Sequence, residues 1–470
     1  MIALTLREVA AAAGGHLAEG TDPDAVARGL VIDSRQSGPG MLFAALPGER
    51  ADGHAFAAAA VSRGAVATLA TRPVDGPAVL VGDVEAAMAA LAAEALRRLP
   101  DLRVIGLTGS SGKTSTKDLI AGLLEPAGPT VAPPGSYNND LGVPLTVLRA
   151  DPETRFLVLE MGARGRGHIA RLCAIAPPSI GVVLNVGSAH LGEFGSRQAI
   201  AESKGELVEA ARDVAVLNED DPLVRDMAGR ARGRVVTFGE GDAATVRALD
   251  VLIDAQGCAG FTLATPSGTA AVQLRLVGAH HVANALAAAA VALECGRDLG
   301  DVARDLSMAT PRSRWRMEVR VDAAGHTVIN DAYNANPESM RAALKTLATL
   351  GRAAPGRPER RTIAVLGPMY ELGPTSASEH DAIGRLAVRL SIDKLIVVGA
   401  DAAAIHSGAT LEGSWGEESV LVDDVGQALD VLAGELREGD VVLVKASRAA
   451  GLERVADALL AGASAGAGAP

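Results

Sequence analysis

The sequence predicts an α/β protein of three domains. Its 470 residues exceed what one hydrophobic core usually holds. Hydrophobic residues make up 48% of the chain and charged residues 21%, which is a globular composition and not a disordered one. From about residue 101, short β-rich runs alternate with helical patterns, and this alternation favours parallel sheets connected by crossover helices.

Two changes in pattern divide the chain. Residues 1–99 mix short strand signals with an alanine-rich helix over 84–99, which ends at a proline. A first alternation of strands and helices follows, until "TPRSRWRMEVR" interrupts it near residue 311 and a second alternation begins. We therefore predict a small α/β domain over 1–99, a central parallel-sheet domain over 100–311 and a third α/β domain over 312–470. The final "AGASAGAGAP" is predicted to be a flexible tail.

Charge and composition argue against several classes of protein. The net charge of −12 does not suit a nucleic-acid-binding surface, which needs clustered lysine and arginine. No run of about 20 apolar residues is present, so no membrane span is expected, and Arg7 and Glu8 interrupt the apolar start in a way that is unlike a signal peptide. Cys173, Cys258 and Cys295 lack metal-ligand spacing, which indicates buried thiols in a reducing compartment. We expect a cytoplasmic protein that acts on small molecules.

The segment "TGSSGKT" joins a predicted strand to a predicted helix. Such a turn leaves backbone N–H groups pointing at one place, and the helix dipole adds partial positive charge there. Lys113 can reach the β and γ phosphates of a nucleotide, and the Thr114 hydroxyl can bind Mg²⁺. Leu107 replaces the first glycine of the general phosphate-loop pattern, but the flanking strand and helix still favour phosphate binding. The predicted phosphate site consists of Thr108, Gly109, Ser110, Ser111, Gly112, Lys113 and Thr114.

Two further candidates follow predicted strands. Glu160 ends "FLVLEMG", where a second magnesium ligand would lie, although a glutamate at a strand end is often only a solvated rim residue. His190 follows the next strand, in the crevice where open α/β sheets bind ligands. The residues alone leave a structural and a functional interpretation open for both.

Six motifs resemble, in order and spacing, those of the ATP-dependent Mur ligases. They are "TGSSGKT", "GSYNNDLGVPLTVL", "EMG" with a later "SAHL", "ESKGEL", "GAHHVANALAAAA" and "NDAYNANPESM". The resemblance covers nearly the whole chain, because residues 33–56 resemble the family's nucleotide-sugar segment and residues 442–455 its last strand and helix. It implies a small α/β amino-terminal domain, a central P-loop ATPase domain and a Rossmann-like α/β carboxy-terminal domain.

The resemblance also implies an activity. "DAYNANP" is similar to the motif of the member that adds D-alanyl-D-alanine to UDP-N-acetylmuramoyl-tripeptide, through an acyl phosphate and with ATP and Mg²⁺, in peptidoglycan synthesis. The "DNPR" motif of the relative that adds diaminopimelate or lysine is absent from the sequence. That relative remains an alternative, as does a nonenzymatic nucleotide-binding protein. A monomer is expected.

The resemblance also implies catalytic and binding roles for individual residues. The residues implied in catalysis are Lys113, Glu160, His190 and Lys204, and the implied magnesium ligands are Thr114, Glu160, His190 and Lys204 in carbamylated form. The implied ATP contacts are Asn284 with the weaker candidate His281 at adenine, Arg316 at the phosphates and Asp331 at ribose. The implied substrate contacts are Ser34, Arg35, Gly48, Glu49, Arg50, Asp52, His54, Asn138, Asn139, Asp140, Tyr333, Asn334 and Asn336. Without the family, Lys204 would be an ordinary helix-surface lysine.

Two positions depart from the family pattern. Pro368 replaces an acidic residue in "GPMYELG", and this removes a polar contact and fixes φ near −65°. Ala446 replaces a common glycine in "VKAS". Neither change touches the predicted phosphate site.

Overall fold

The computed structural model describes residues 1–48, 51–188, 191–353, 358–413 and 418–465. Within them, four β-sheets with their helices form three α/β units in chain order. Most neighbouring strands pair in parallel, as the alternation of strands and helices predicted. No helix in these ranges is both long and apolar enough to cross a membrane.

The amino-terminal unit contains a five-stranded sheet and a separate two-stranded pair. Its strands are Leu4–Thr5 (β1), His16–Leu17 (β2), Val26–Ala27 (β3), Gly29–Val31 (β4), Met41–Ala44 (β5), Ala67–Ala70 (β6) and Ala78–Leu80 (β7). Its helices are Leu6–Ala12 (α1), Ala57–Ser62 (α2) and Val84–Arg97 (α3), with 3₁₀ turns at Ser34–Gln36 and Gly53–Phe56. The main sheet has the order β2-β7-β6-β5-β4 and is parallel except at β2.

The alanine-rich helix α3 forms because its sequence supplies both a cap and an apolar face. The Asp83 side chain accepts a hydrogen bond from the Ala86 N–H at 2.9 Å, which satisfies one of the free donors at the helix start. Met88 of α3 lies in the same buried cluster as Val143 and Val147 of the next unit. The first two units therefore share a hydrophobic core on either side of the predicted boundary.

The middle unit is built on a nine-stranded sheet. Its strands are Arg103–Thr108 (β8), Thr130–Val131 (β9), Phe156–Glu160 (β10), Ile180–Val183 (β11), Val214–Asn218 (β12), Arg234–Gly239 (β13), Val246–Ile253 (β14), Cys258–Thr265 (β15) and Gly268–Val277 (β16). Its helices are Lys113–Leu124 (α4), Gly142–Val147 (α5), His168–Ile175 (α6), Leu191–Phe194 (α7), Arg197–Ala210 (α8), Pro222–Arg225 (α9), His281–Glu294 (α10) and Leu299–Met308 (α11), with 3₁₀ turns at Glu125–Ala127 and Asp226–Arg230.

Only part of this sheet is the predicted parallel sheet. The order is β9-β10-β8-β11-β12-β13-β14-β15-β16, and the strands from β9 to β14 pair in parallel. The last two strands are antiparallel to their neighbours. The turns after β14 and β15 are too short for a crossover helix, so the chain folds straight back on itself.

The carboxy-terminal unit is a six-stranded sheet of order β17-β18-β22-β19-β20-β21, antiparallel only at its first strand. Its strands are Glu318–Val321 (β17), Thr327–Asn330 (β18), Thr362–Leu366 (β19), Lys394–Val398 (β20), Ser419–Val422 (β21) and Val441–Lys445 (β22). Its helices are Pro337–Gly351 (α12), Ser376–Arg389 (α13), Ala403–Glu412 (α14), Val425–Glu435 (α15) and Glu453–Ala465 (α16), with 3₁₀ turns at Gly373–Thr375, Ala400–Ala402 and Arg448–Ala450.

Separate apolar cores lie on the two faces of this sheet, as in a doubly wound α/β fold. One core includes Leu344 of α12 and Ile383 of α13, and the other includes Ala428 of α15 and Val455 of α16. The prediction of a loose tail is wrong for residues 461–465, because α16 continues through them; the remaining tail residues lie outside the described ranges.

Candidate active site

The predicted phosphate loop lies between the end of β8 and the start of α4. Gly112 adopts φ +78, and a Cβ on it would lie 2.6 Å from Asn284 Oδ1, so both backbone conformation and close approach require glycine there. Asn185 accepts hydrogen bonds at Oδ1 from the Ser110 and Ser111 N–H groups at 2.9 and 3.0 Å. The Thr108 side chain is fully buried at the strand end, so only its backbone could contribute to the predicted phosphate site.

Lys113 is the first residue of α4 and bends back over the loop. Its ammonium donates to the Gly109 carbonyl at 2.6 Å. Burial lowers the pKa of Lys113, while the charge of Glu160 opposes this shift and that of Arg316 adds to it. An anion placed on the loop would offer this half-buried cation a better partner than a neutral carbonyl.

Glu160 connects three elements at the end of β10. Its Oε2 accepts from the Thr114 hydroxyl at 2.9 Å, and its Oε1 accepts from the Ser136 hydroxyl at 2.7 Å and the Asn138 amide at 2.8 Å. The residue is 1% exposed. A solvated rim position, which the sequence had left open, is therefore wrong. The side chain is held by the helix start on one side and by the segment before α5 on the other.

Lys204 lies on α8 and is 5% exposed, so the alternative of an ordinary helix-surface lysine is wrong. Its side chain borders the same cleft as the phosphate loop. Within the described residues its ammonium has neither a hydrogen bond nor an ion pair. Burial, followed by the charge of Lys113, lowers the pKa of Lys204 well below its ordinary value. This environment therefore disfavours the ammonium relative to the neutral, nucleophilic amine.

Asn284 and His281 lie one turn apart on α10 but face different spaces. Asn284 borders the main cleft, and its Oδ1 accepts from the Thr116 hydroxyl at 3.2 Å. His281 borders a neighbouring cavity of about 290 Å³ beneath residues 308–313. Burial, followed by the neighbouring His280, lowers the pKa of His281 well below its ordinary value. His280, which the sequence analysis did not consider, borders the main cleft instead.

Arg316 reaches from the carboxy-terminal unit to the phosphate loop. Its Nη2 donates to the Thr114 hydroxyl at 2.9 Å, and its guanidinium stacks 4.1 Å from the Tyr333 ring centroid. The two flanking residues, Trp315 and Met317, have φ values of +59 and +47. Left-handed backbone at such residues is strained, and strain of this kind is concentrated at functional sites.

Asp331 follows β18 and forms a buried ion pair with Lys445 at the end of β22. The Lys445 ammonium donates to Asp331 Oδ2 at 2.6 Å and to the Asn334 carbonyl at 2.8 Å. The Met317 N–H donates to Asp331 Oδ1 at 3.0 Å. Burial lowers the pKa of Lys445, and Asp331 opposes this shift. The pair fixes the loop that presents Tyr333, Asn334 and Asn336, which border the main cleft.

One cleft of about 1100 Å³ collects these side chains from the middle and carboxy-terminal units. Hydrogen bonds cross it. The Asn336 amide donates to the Ser110 carbonyl at 3.3 Å, and Ser188 donates to Glu338 Oε1 through its N–H at 2.8 Å and its hydroxyl at 2.9 Å. The two units therefore approach each other closely around the phosphate loop.

Several cleft residues were not predicted from the sequence. They are Ser136, Asn185, His280, Glu338, Arg341, Tyr370, Glu379, Lys445 and Arg448. Asn185, Lys445, Tyr370 and Arg448 follow or end parallel strands, so the rule that ligands bind at the carboxyl ends of such strands could have indicated them.

Within the described residues, the predicted nucleotide-sugar contacts of the amino-terminal unit do not border this cleft. Ser34 lies in a 3₁₀ turn beside Arg35, whose guanidinium holds the pKa of Asp33 at about 2. Gly48 donates through its N–H to the Ala51 carbonyl at 3.1 Å. Glu49, Arg50 and His190 lie outside the described residues.

Asp52 and His54 form a tight local motif. His54 Nδ1 lies 2.6 Å from Asp52 Oδ1, and His54 Nε2 accepts from the Thr71 N–H at 3.0 Å. Hydrogen bonds from His54, together with Arg72, lower the pKa of Asp52. Both side chains therefore stabilise the turn that follows the "PGER" segment.

The predicted substrate contacts at 138–140 divide into two groups. Asn138 and Asn139 border the cleft. Asp140 turns away from it and pairs with Arg171 at 2.7 Å and with His168 Nε2 at 3.0 Å. This pairing attaches the segment to α6.

The two departures from the family pattern meet at neighbouring strand ends. The Pro368 carbonyl accepts from the Ser447 N–H at 2.9 Å, and the Ala446 methyl lies beside Gly367. The loops after β19 and β22 are thereby joined without the missing acid.

Three family models match the chain. The Mur ligase family catalytic domain matches residues 27–108, the Mur ligase middle domain 107–292 and the Mur ligase glutamate ligase domain 315–448. A UDP-N-acetylmuramoyl-tripeptide–D-alanyl-D-alanine ligase from Mycobacterium tuberculosis (strain ATCC 25618 / H37Rv) is 50% identical, over 98% of this chain and 98% of the relative. The ligase of the same name from Escherichia coli (strain K12) is 35% identical, over 98% and 99% respectively.

Solved structures agree with these sequence relatives. MurF from Acinetobacter baumannii matches with a TM-score of 0.86 and 32% identity, over 98% of this chain and 99% of that chain. The MurF ligase from Thermotoga maritima in complex with ADP matches with a TM-score of 0.79 and 32% identity, over 93% and 98%. These matches confirm the fold class predicted from the sequence.

Proposed function

This chain belongs to the Mur ligase family, and we propose that it joins D-alanyl-D-alanine to UDP-N-acetylmuramoyl-tripeptide in an ATP-dependent reaction. The observation that carries the proposal is the composition of one cleft. It combines a phosphate loop with a buried lysine that has no hydrogen-bond partner among the described residues, and with an arginine from a second unit. The product would be the UDP-linked pentapeptide precursor of peptidoglycan.

The proposed reaction has two steps. The terminal carboxylate of the tripeptide attacks the γ-phosphorus of ATP, which forms an acyl phosphate and releases ADP. The amine of D-alanyl-D-alanine then attacks the acyl carbon, and the tetrahedral intermediate expels inorganic phosphate as the amide forms. Both steps bring anionic groups together, so the protein's main task is to neutralise charge and to orient the reactants.

The phosphate loop and two cations suit the first step. The first N–H groups of α4 lack intrahelical acceptors and point toward the loop. Lys113 and Arg316 both border the cleft, so their charges can offset the repulsion between the γ-phosphate and the attacking carboxylate. Asn284 beside Gly112 and Asp331 beside Lys445 are the proposed adenine and ribose contacts.

The donor set at the start of α4 suits Mg²⁺. The Thr114 hydroxyl and the Glu160 carboxylate are adjacent hard oxygen donors, and no group of three or more His, Cys, Asp or Glu side chains competes among the described residues. We propose Thr114 and Glu160 as ligands of one Mg²⁺, His190 as a ligand of a second, and carbamylated Lys204 as a further metal ligand. When bound, Mg²⁺ would neutralise phosphate charge.

The environment of Lys204 supports the proposed carbamylation. A neutral lysine amine can attack CO₂, which forms an N–C bond, releases one proton and leaves an anionic carbamate. Lys204 is buried, lies near another cation and has a lowered pKa, so this conversion would replace an unfavourable ammonium with an anion beside Lys113.

The remaining assignments extend the proposal. Ser34, Arg35, Gly48, Glu49, Arg50, Asp52 and His54 are the proposed uridine-diphosphate contacts, Asn138, Asn139 and Asp140 the muramoyl contacts, and Tyr333, Asn334 and Asn336 the contacts on the dipeptide side. ATP and UDP-linked precursors are cytoplasmic metabolites, and we propose a cytoplasmic monomer.

The alternative family member, which adds diaminopimelate, is not favoured. The sequence lacks the "DNPR" motif of that relative, and the relatives that bear the D-alanyl-D-alanine name reach 50% identity. A screen of amine substrates with the tripeptide acceptor and ATP tests the proposal through phosphate release. D-alanyl-D-alanine should support turnover, whereas diaminopimelate and lysine should not. Phosphate release that is independent of any amine, or ATP binding without turnover, would overturn it.

A further inference from the structure

Lys117 is a fully buried lysine that does not border the cleft. It lies on α4, one turn after Lys113, and is 1% exposed. Its ammonium donates to the Pro133 carbonyl at 2.6 Å and to the Gly135 carbonyl at 3.4 Å, and it pairs with Asp118 Oδ1 at 2.7 Å. The charge therefore has three oxygen partners inside the protein.

A buried ammonium is an unusual way to fill a core position. Removing the charge from water is costly, and an apolar side chain of similar size would often serve stability as well or better. The location of the three partners therefore needs an explanation. Two of them are backbone carbonyls of one segment, residues 132–138, which contains no regular strand or helix.

This segment needs external donors. Two successive prolines, Pro133 and Pro134, have no N–H groups, so the segment cannot form an ordinary hydrogen-bond ladder there. Cations bind its carbonyls instead: Arg149 donates to the Ala132 carbonyl at 2.8 Å, and Lys117 binds those of Pro133 and Gly135. Lys117 is the buried member of this pair of cations.

The same segment contacts Glu160. Ser136 directly follows Gly135, and both Ser136 and Asn138 donate to Glu160 Oε1 at 2.7 and 2.8 Å. The other oxygen of Glu160 accepts from Thr114, which lies on α4 three residues before Lys117. Contacts thus form a closed ring from α4 through Glu160 and the segment back to α4.

We propose that Lys117 is a positioning residue for ligation: it holds residues 133–138 so that Ser136 and Asn138 fix the orientation of Glu160 and the acceptor side of the cleft. This inference rests on the proposed function. The ammonium does not reach the cleft, so its role is to position the residues that do.

The test is a double-mutant cycle on the full chain with Lys117→Met and Asn138→Ala. We expect Lys117→Met to raise the KM for UDP-N-acetylmuramoyl-tripeptide and the half-saturating Mg²⁺ concentration at least about fivefold. The Kd for ADP without Mg²⁺ should change less than about twofold. Both substitutions disturb the same ring of contacts. The KM for the acceptor in the double variant should therefore be little higher than in the more affected single variant. If Lys117→Met does not fold, Lys117→Arg replaces it in the same cycle.

Lys394→Met is the matched control. Lys394 is also a largely buried lysine, and it pairs with Glu435 at 2.6 Å in the carboxy-terminal sheet. Loss of this ion pair should lower the melting temperature while the KM for the acceptor stays unchanged. In combination with Asn138→Ala, the fold-changes in KM of the two single variants should simply multiply. An active wild type with an unchanged KM in the Lys117 variant, or independent effects of Lys117→Met and Asn138→Ala, would overturn the inference. An inactive wild type would instead refute the proposed function.

Discussion

Arg316 Nη2 donates to the Thr114 hydroxyl at 2.9 Å, and this contact joins the carboxy-terminal unit to the first turn of the phosphate-loop helix. The same hydroxyl donates its proton to Glu160 Oε2. The hydroxyl oxygen keeps a second lone pair, with which it can bind a metal ion beside these two hydrogen bonds. Arg316 Nε is buried and has no partner among the described atoms. A phosphate oxygen could therefore replace the Thr114 hydroxyl as a hydrogen-bond partner of Arg316.

The first prediction concerns this arginine. Arg316→Met should lower kcat by roughly two to three orders of magnitude, because a charge that opposes the developing phosphate charge is lost. Steady-state phosphate release measures the effect, and circular dichroism verifies the fold. Arg314→Met is the control, since Arg314 is an exposed neighbour in the same linker that stacks on Trp315. A kcat within threefold of the wild type for Arg316→Met would contradict the assignment.

The second prediction concerns the phosphate-loop lysine. Lys113→Met should abolish turnover and leave the protein folded, with a melting temperature no lower than that of the wild type. The reason is that the half-buried Lys113 ammonium donates to a neutral carbonyl and its burial lowers its pKa, so its removal relieves part of a desolvation cost. Phosphate release and thermal unfolding test the two parts separately. Wild-type turnover, or a clear loss of stability, would show that the residue has another role.

Local signals explain what the sequence predicted well. The strand, turn and helix around the predicted phosphate loop could be predicted because they are contiguous in the chain. The position of Glu160 as the last residue of an apolar strand could be predicted in the same way. Such features require no knowledge of the strand order.

Other features depend on which elements become neighbours. Lys204 has the pattern of a helix-surface residue, and only the packing of α8 against the sheet reveals that it is buried beside Lys113. Lys445 lies more than a hundred residues after Asp331, and the pair forms because β22 inserts next to β18. The antiparallel strands β15 and β16 were missed because short turns, not helices, connect them.

The third prediction concerns the hydrogen bonds between Ser188 and Glu338. Glu338→Ala removes the acceptor for two donors across the cleft, one of them a backbone N–H, at a cost of about 1–3 kcal/mol. We expect a larger radius of gyration in small-angle X-ray scattering without ligands, and a raised KM for ATP. Glu338→Gln keeps an acceptor oxygen and should behave like the wild type. If the two variants had the same radius of gyration and the same KM for ATP, the contact would not hold the units together.

The fourth prediction is a pH dependence of stability. Lys204 has a lowered pKa in the folded protein, so between that value and the ordinary 10.5 the unfolded chain binds more protons than the folded one. Stability without CO₂ should therefore rise with pH in this window. The pKa values of Lys113 and Lys445 are lowered as well, so both residues add to the pH dependence. The contribution of Lys204 is therefore read from the difference in stability between wild type and Lys204→Met. Thermal unfolding should show a shallower rise for the variant; parallel curves would contradict the lowered pKa.

The same chemistry predicts a dependence of activity on CO₂. The neutral amine of Lys204 captures CO₂, whereas the ammonium does not, so acidification below the lowered pKa should reduce the carbamylated fraction. Enzyme depleted of CO₂ at mildly acidic pH should lose activity and regain it when bicarbonate is added, and ¹³C-labelled bicarbonate should give a carbamate signal in NMR that Lys204→Met lacks. Lys204→Met should not recover with bicarbonate. Full activity of the depleted wild type without a carbamate signal would show that the buried amine acts unmodified.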